Sequence, residues 1–282
     1  MQNIFSQFIS LSILIACINL VLVFLYNLLF LGRIKIWGFK YSRLKYFLLA
    51  IPLYIPIIIV AIDVKSFYPI LLYLTFAVLG VLGETGFSMW WGVFFKHKFW
   101  EYKEDVINKG DSSYLNFIIW GWGVFFLITV SRILSRWLGF KLDLSFFVNY
   151  WPIFAVILFV ILVVVQTISG FRKKELLHFV KDSISYKNYL LFCLPIFLPF
   201  TYLLFKFSFK YLVFFVSLGI ILFVAEYIIG KLFKLFLSKK LWVYNYETLN
   251  HKHTTLLNII PFGLATFYFL TLYSLFNYFL SF

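Results

Sequence analysis

The chain has 282 residues, 63% of them hydrophobic and 24% aromatic, with a mean hydropathy of +0.95 and a formal net charge of +14. That balance excludes a soluble domain and makes lipid the solvent. The charge does not point to nucleic acid, because the 25 Lys and Arg sit in loops beside apolar segments, where membrane orientation and anionic lipid account for them.

A membrane span needs about 20 apolar residues. Eight segments qualify, so the fold class expected is an all-α polytopic membrane protein. The first covers 4–31. Residues 1–10 lack a basic leader, and the apolar run far exceeds a signal-peptide core, so no cleavable signal is predicted. The second span, 46–62, is short and carries Pro52 and Pro56. Proline removes backbone hydrogen bonds and kinks a helix. In lipid the freed carbonyls need partners, so this span is expected to face protein or a cavity. Asp63 ends it and is read as a boundary residue.

The third span, 67–88, contains Glu84. At 1.5 Å per residue, Glu84 has descended about 26 Å of a core about 30 Å thick, close to one membrane face. The stretch after it, 87–100, is aromatic and then basic, and either extends the span or turns into the interface. A polar loop from Lys103 to Asp111 follows, then Ser112-Ser113 before an apolar run. Hydroxyls there are a helix N-cap signature. The fourth span is 114–131, with Asn116 about one turn in. Spans five to eight are expected at 146–169, 189–205, 209–230 and 255–281. Lys231, Lys234, Lys239 and Lys240 alternate with Leu and Phe after the seventh, a pattern that fits an interfacial helix. His251-Lys-His253 is read as a solvated basic loop rather than a metal site. Cys17 and Cys193 lie in apolar segments and give no disulfide framework. No cofactor is expected, and the 39 phenylalanines are read as packing and lipid contact.

Glu84, Trp100, Tyr102, Asn108, Asn116 and Gly121 recur 142 positions later as Glu226, Trp242, Tyr244, Asn250, Asn258 and Gly263. Over 84–129 against 226–271, without a gap, 12 of 46 positions are identical. Chance at this composition would give about four, so the chain reads as an internal duplication. Pro195 and Pro199 repeat Pro52 and Pro56 at an offset of 143. The expected organisation is two tandem four-helix repeats, 1–140 and 141–282. Loops after the odd-numbered spans carry 19 of the 25 basic residues. The positive-inside rule then puts those loops in the cytoplasm and both termini outside. An even number of spans per half makes the repeats parallel.

Glu84 and Glu226 are the candidate catalytic groups. An ionisable residue inside a span is costly to bury and reads as functional. A buried carboxyl serves as a proton donor or ion ligand. The alternative is that both reach interfacial water or pair with Lys98, Lys240 or an indole to pin the hairpin. Trp100, Tyr102, Trp242 and Tyr244 are candidate ligand-binding residues that also suit interface anchors. Asn116 and Asn258, expected to face their own half's glutamate, complete that set, or act as interhelical glue.

One order of features stands in both halves: an acid near a helix end, then Phe99-Trp100-Glu101-Tyr102 or Leu241-Trp242-Val243-Tyr244, then a short polar run opening the next helix at Asn116 or Asn258. It resembles the small, internally duplicated lycopene cyclases over about 40 residues per half. The resemblance implies a helical membrane domain acting on an isoprenoid. The Pro-x-Glu-Glu motif that opens the following helix in that family is absent, Asn standing where its acid would be. Proton delivery to a polyene is therefore not carried over.

Three functions fit these features. One is an enzyme or binder acting on a lipid or isoprenoid in the bilayer, with the carboxylates as acid and base. Another is a proton- or cation-coupled transporter or channel, or a lipid scramblase. The third is an assembly subunit presenting basic hairpins to a partner or to anionic lipid. No phosphate-binding run, Asp-rich motif, histidine cluster or nucleophile elbow is present, which disfavours prenyl transfer, desaturation and serine hydrolysis. The partners expected are membrane lipids, an isoprenoid ligand, and anionic lipid at the basic loops.

Overall fold

A computed structural model describes residues 2–31, 42–95, 98–142, 189, 193, 209–246, 248–249 and 253–280. Its elements are almost all helical: α1 (Gln2–Leu31), α2 (Arg43–Leu49), α3 (Ile51–Asp63), α4 (Tyr68–Phe94), α5 (Asn116–Trp137), α6 (Phe209–Leu237) and α7 (Ile259–Leu280). Short strands punctuate the two hairpins: β1 (Trp100–Tyr102), β2 (Val106–Ile107) and β3 (Ser112–Ser113), then β4 (Trp242–Tyr244), β5 (Thr248–Leu249) and β6 (Thr254–Thr255).

Five helices among the described residues are long and apolar enough to cross a bilayer, and a sixth span results if α2 and α3 count as one bent segment. The molecule is thus a multi-pass membrane-type bundle. The expected fifth span lies outside the described residues, as does all of the sixth except Tyr189 and Cys193. The predicted kink is present: α2 and α3 meet at 54°. Pro52 occupies the first turn of α3, where a missing N–H is tolerated, and Pro56 lies inside it. The carbonyl of Leu48, four residues before Pro52, instead accepts from Asn19 of α1 at 3.0 Å. α1 packs along α3, so the kink faces protein, as its unpaired backbone requires.

The basic stretch after the seventh span is no separate interfacial helix. It continues α6 without a break to Leu237. The aromatic stretch after Glu84 likewise extends α4 to Phe94.

The chain divides into two compact units. One comprises Met1–Thr85, Tyr102–Thr129 and Ile228–Val243. The other comprises Gly86–Glu101, Val130–Tyr227 and Tyr244–Phe282. In the first, Phe8 and Phe125 pack with ring centroids 4.4 Å apart, and α5 approaches Tyr73 so closely that a Cβ on Gly121 would lie 2.3 Å from its ring. In the second, Leu134, Phe214, Phe215, Leu218, Phe267 and Leu270 form a buried core. There a Cβ on Gly219 would meet the Ile259 carbonyl at 2.3 Å, the close backbone approach that small residues permit in membranes.

Candidate functional site

Each hairpin builds the same knot around its glutamate. Glu84 lies 16 residues into α4, about 24 Å from its start, and ten before its end. The chain leaves the helix, passes through β1, turns back through the antiparallel β2–β3 ladder and enters α5. The ladder pairs Val106 with Ser113 and Ile107 with Ser112. This return brings three side chains onto one carboxylate. The Tyr102 hydroxyl donates to Glu84 Oε1 at 2.6 Å, while Ser112 Oγ and Asn116 Nδ2 donate to Oε2 at 2.5 and 2.8 Å.

The second copy repeats this atom for atom. Thr248 pairs with Thr255 and Leu249 with Thr254. Tyr244 donates to Glu226 Oε1, and Thr254 Oγ1 and Asn258 Nδ2 donate to Oε2 at 2.6 and 2.9 Å. The donors are enclosed: Tyr102, Ser112, Asn116, Tyr244, Thr254 and Asn258 are all at most 7% exposed.

Two further contacts carry the duplication outward. The Tyr46 hydroxyl donates to the Leu115 carbonyl at 2.6 Å, and that of Tyr189 donates to the Leu257 carbonyl at 2.7 Å. Each fixes the backbone just before the asparagine of its cluster. The Leu115 and Leu257 N–H groups donate to Ser113 Oγ and Thr255 Oγ1.

The Trp-x-Tyr motifs pack against each other. In one unit Lys103 N–H donates to the Leu241 carbonyl, and Tyr102 packs on Trp242 with centroids 6.2 Å apart. In the other, Asn245 N–H donates to the Phe99 carbonyl, and Tyr244 packs on Trp100 edge to face at 6.2 Å. A shift of 142 residues exchanges the two sets. Each carboxylate-binding tyrosine is therefore backed by the tryptophan of the other repeat.

Several expectations need correction. Tyr102 and Tyr244 are buried and donate to the carboxylates. Ser112 and Thr254 serve the glutamates rather than a helix end; only Ser113 and Thr255 accept a backbone N–H as a cap does. The residues found on Glu84 are uncharged, so the pairing with Lys98 or Lys240 weighed from sequence is not what holds it. His253 is 2% exposed, so it does not belong to a solvated loop. Asn116 and Asn258 face their glutamates as expected. Asp63 ends α3 and accepts from Gln7 at 2.8 Å. Cys17 and Cys193 are free thiols, and Asn250 lies outside the described residues. Sequence reasoning missed the hydroxyl donors and Tyr46/Tyr189. The paired Ser/Thr at matching offsets was the available signal.

The copies are not identical: the Trp120 indole also acts on Glu84, where the second copy has Phe262. Asn258 Nδ2 also lies 2.6 Å from the Tyr244 hydroxyl, whereas the buried Oδ1 of Asn116 has no hydrogen-bond partner among the described residues. Among those residues no three or more His, Cys, Asp or Glu converge as a metal site would require.

No family model, curated protein or solved structure matches this chain.

Proposed function

We propose that this chain is an integral membrane protein that holds or acts on a lipid or isoprenoid, with Glu84 and Glu226 as its proton-exchanging groups. One observation carries the proposal: both copies keep a carboxylate, with the same three donors on the same two oxygens, while 34 of the 46 aligned positions have diverged. Burying a carboxylate costs several kcal/mol even after relaxation. A glutamine would offer the hairpin one carbonyl acceptor without that cost. Keeping the acid twice suits a group that gains and loses a proton. Tyr102 and Tyr244 offer hydroxyls through which the proton can pass, and Trp100 and Trp242 shield them. The order of features that resembles the duplicated lycopene cyclases favours an isoprenoid among lipid ligands.

A second reading has its own support. The three donors described on each glutamate come from its own hairpin, which suits a clasp in an assembly subunit. Proton- or cation-coupled transport remains the third. Mass spectrometry of lipids and pigments that co-purify with the wild type and with Glu84→Gln/Glu226→Gln separates them. The expected result is one isoprenoid or lipid enriched with the wild type and lost from a variant that still folds. Bulk lipid alone in both sinks the ligand reading, and proton flux in liposomes then decides between transport and assembly.

A further inference from the structure

Tyr46 lies on α2, ahead of Ala50, where α2 and α3 meet at 54°. It is fully enclosed, and its hydroxyl donates to the Leu115 carbonyl at 2.6 Å. Tyr189 stands at the matching place in the sequence. Pro52 and Pro56 follow Tyr46 by six and ten residues, and Pro195 and Pro199 follow Tyr189 by the same steps. Tyr189 is 7% exposed and donates to the Leu257 carbonyl at 2.7 Å.

Packing alone does not ask for these hydroxyls. Phe fills nearly the same space, and the chain has 39 of them. A phenol oxygen taken out of water is costly unless it is bonded. Both copies keep the oxygen and direct it to the same atom, the carbonyl immediately before the asparagine of the cluster.

That carbonyl lies in the peptide plane that carries the asparagine Cα. Leu115 is held from both sides: its N–H donates to Ser113 Oγ at 3.2 Å, and its carbonyl accepts from Tyr46. Leu257 is held likewise by Thr255 Oγ1 at 3.3 Å and by Tyr189. With the plane fixed, the next side chain starts from a fixed direction. Asn116 and Asn258 then bring Nδ2 to 2.8 and 2.9 Å from their glutamates. A tilt that moves the amide by about 1 Å would end that bond.

In the first copy the tyrosine reaches a second donor. Its ring stacks on Phe233 at 5.6 Å, Phe233 stands edge to face on Trp242 at 6.3 Å, and Trp242 packs on Tyr102 at 6.2 Å. Arg43, three residues before Tyr46, donates to both oxygens of Asp105 at 2.9 and 3.2 Å. α2 is thus tied to the hairpin at two points.

We infer that Tyr46 and Tyr189 are positioning residues for Glu84 and Glu226, acting through Asn116 and Asn258 by way of the carbonyls they hold. The inference rests on the reading of both glutamates as proton-exchanging groups, and it names what sets one of their donors.

The test is NMR of the full chain in nanodiscs, with ¹³C at the glutamate side-chain carboxyls and the two resonances assigned by Glu84→Gln and Glu226→Gln. At one pH, Tyr46→Phe should shift the Glu84 resonance and leave that of Glu226 in place. Tyr189→Phe should do the reverse. Tyr54→Phe removes a hydroxyl that donates to Phe47 within the same bent segment, and should move neither. Thr255→Val releases the other side of Leu257 and should shift Glu226 even if Tyr189→Phe does not fold. A lowered melt with the Glu84 resonance unmoved would make Tyr46 a structural tie and overturn the inference, as would an equal shift in Tyr54→Phe. The proton reading fails on a different result, wild-type resonances that do not respond to pH.

Discussion

Ser112 and Thr254 occupy positions where a helix start would accept aspartate as readily as serine or threonine. Their hydroxyls instead donate to a carboxylate. The two roles make opposite demands. Ser112→Asp places a second carboxylate against Glu84, and two such groups in one site cannot both ionise cheaply. We expect Ser112→Asp and Thr254→Asp to lower the thermal unfolding midpoint sharply in detergent and to reduce folded yield. A capping role predicts little change. Glu84 itself gives a graded comparison. Glu84→Gln keeps an acceptor for Ser112 and Asn116, whereas Glu84→Leu strands three buried donors at about 1–3 kcal/mol each. Leu should therefore destabilise well beyond Gln, measured by thermal melts of matched preparations. Equal melts would mean the donors find other partners.

At the scale of elements, the second span shows how far hydropathy carries a reading. Pro52 and Pro56 announce a kink, and the Leu48 carbonyl needs a donor once Pro52 removes one. Which residue donates was not legible, because Asn19 lies 29 positions away and is one of several polar residues in α1. A double-mutant cycle with Asn19→Leu and Pro52→Ala tests the pairing. Asn19→Leu should destabilise the wild type by about 0.6 kcal/mol, the usual size of an interhelical hydrogen bond in a membrane. It should cost less in Pro52→Ala, whose restored N–H can reach Leu48. Additive effects would show that Asn19 does not serve the kink. The hairpins teach the complementary lesson. Glutamate, tyrosine and asparagine stood out because polar residues are rare in lipid. Ser112 and Thr254 did not, since a hydroxyl before an apolar run has a ready local use. The β2–β3 and β5–β6 ladders were invisible too, because two-residue strands leave no alternation to detect.

At the scale of the whole molecule, the sequence repeats and the compact units have different boundaries. The halves read as 1–140 and 141–282, yet the first compact unit includes Ile228–Val243 and the second includes Gly86–Glu101. Those borrowed segments hold Trp242 and Trp100, the rings packed on Tyr102 and Tyr244. Each unit thus draws on both halves for the wall of its own cluster. A half expressed alone would retain its glutamate, tyrosine, hydroxyl and asparagine but lose the tryptophan behind the tyrosine. It would also lose the backbone partner that Lys103 or Asn245 finds in the other strand. We therefore expect residues 1–140 and 141–282 to be unstable when made separately and to co-purify when made together. Size-exclusion recovery from the membrane fraction is the measurement. A half that is monodisperse alone, with a melt matching the intact chain, would show that the borrowed strands contribute nothing. Trp242→Ala in the intact chain refines the result. Truncating a buried indole should destabilise by about 3–5 kcal/mol. If the exchange is what ties the halves, the same change should also abolish co-purification of the separate chains.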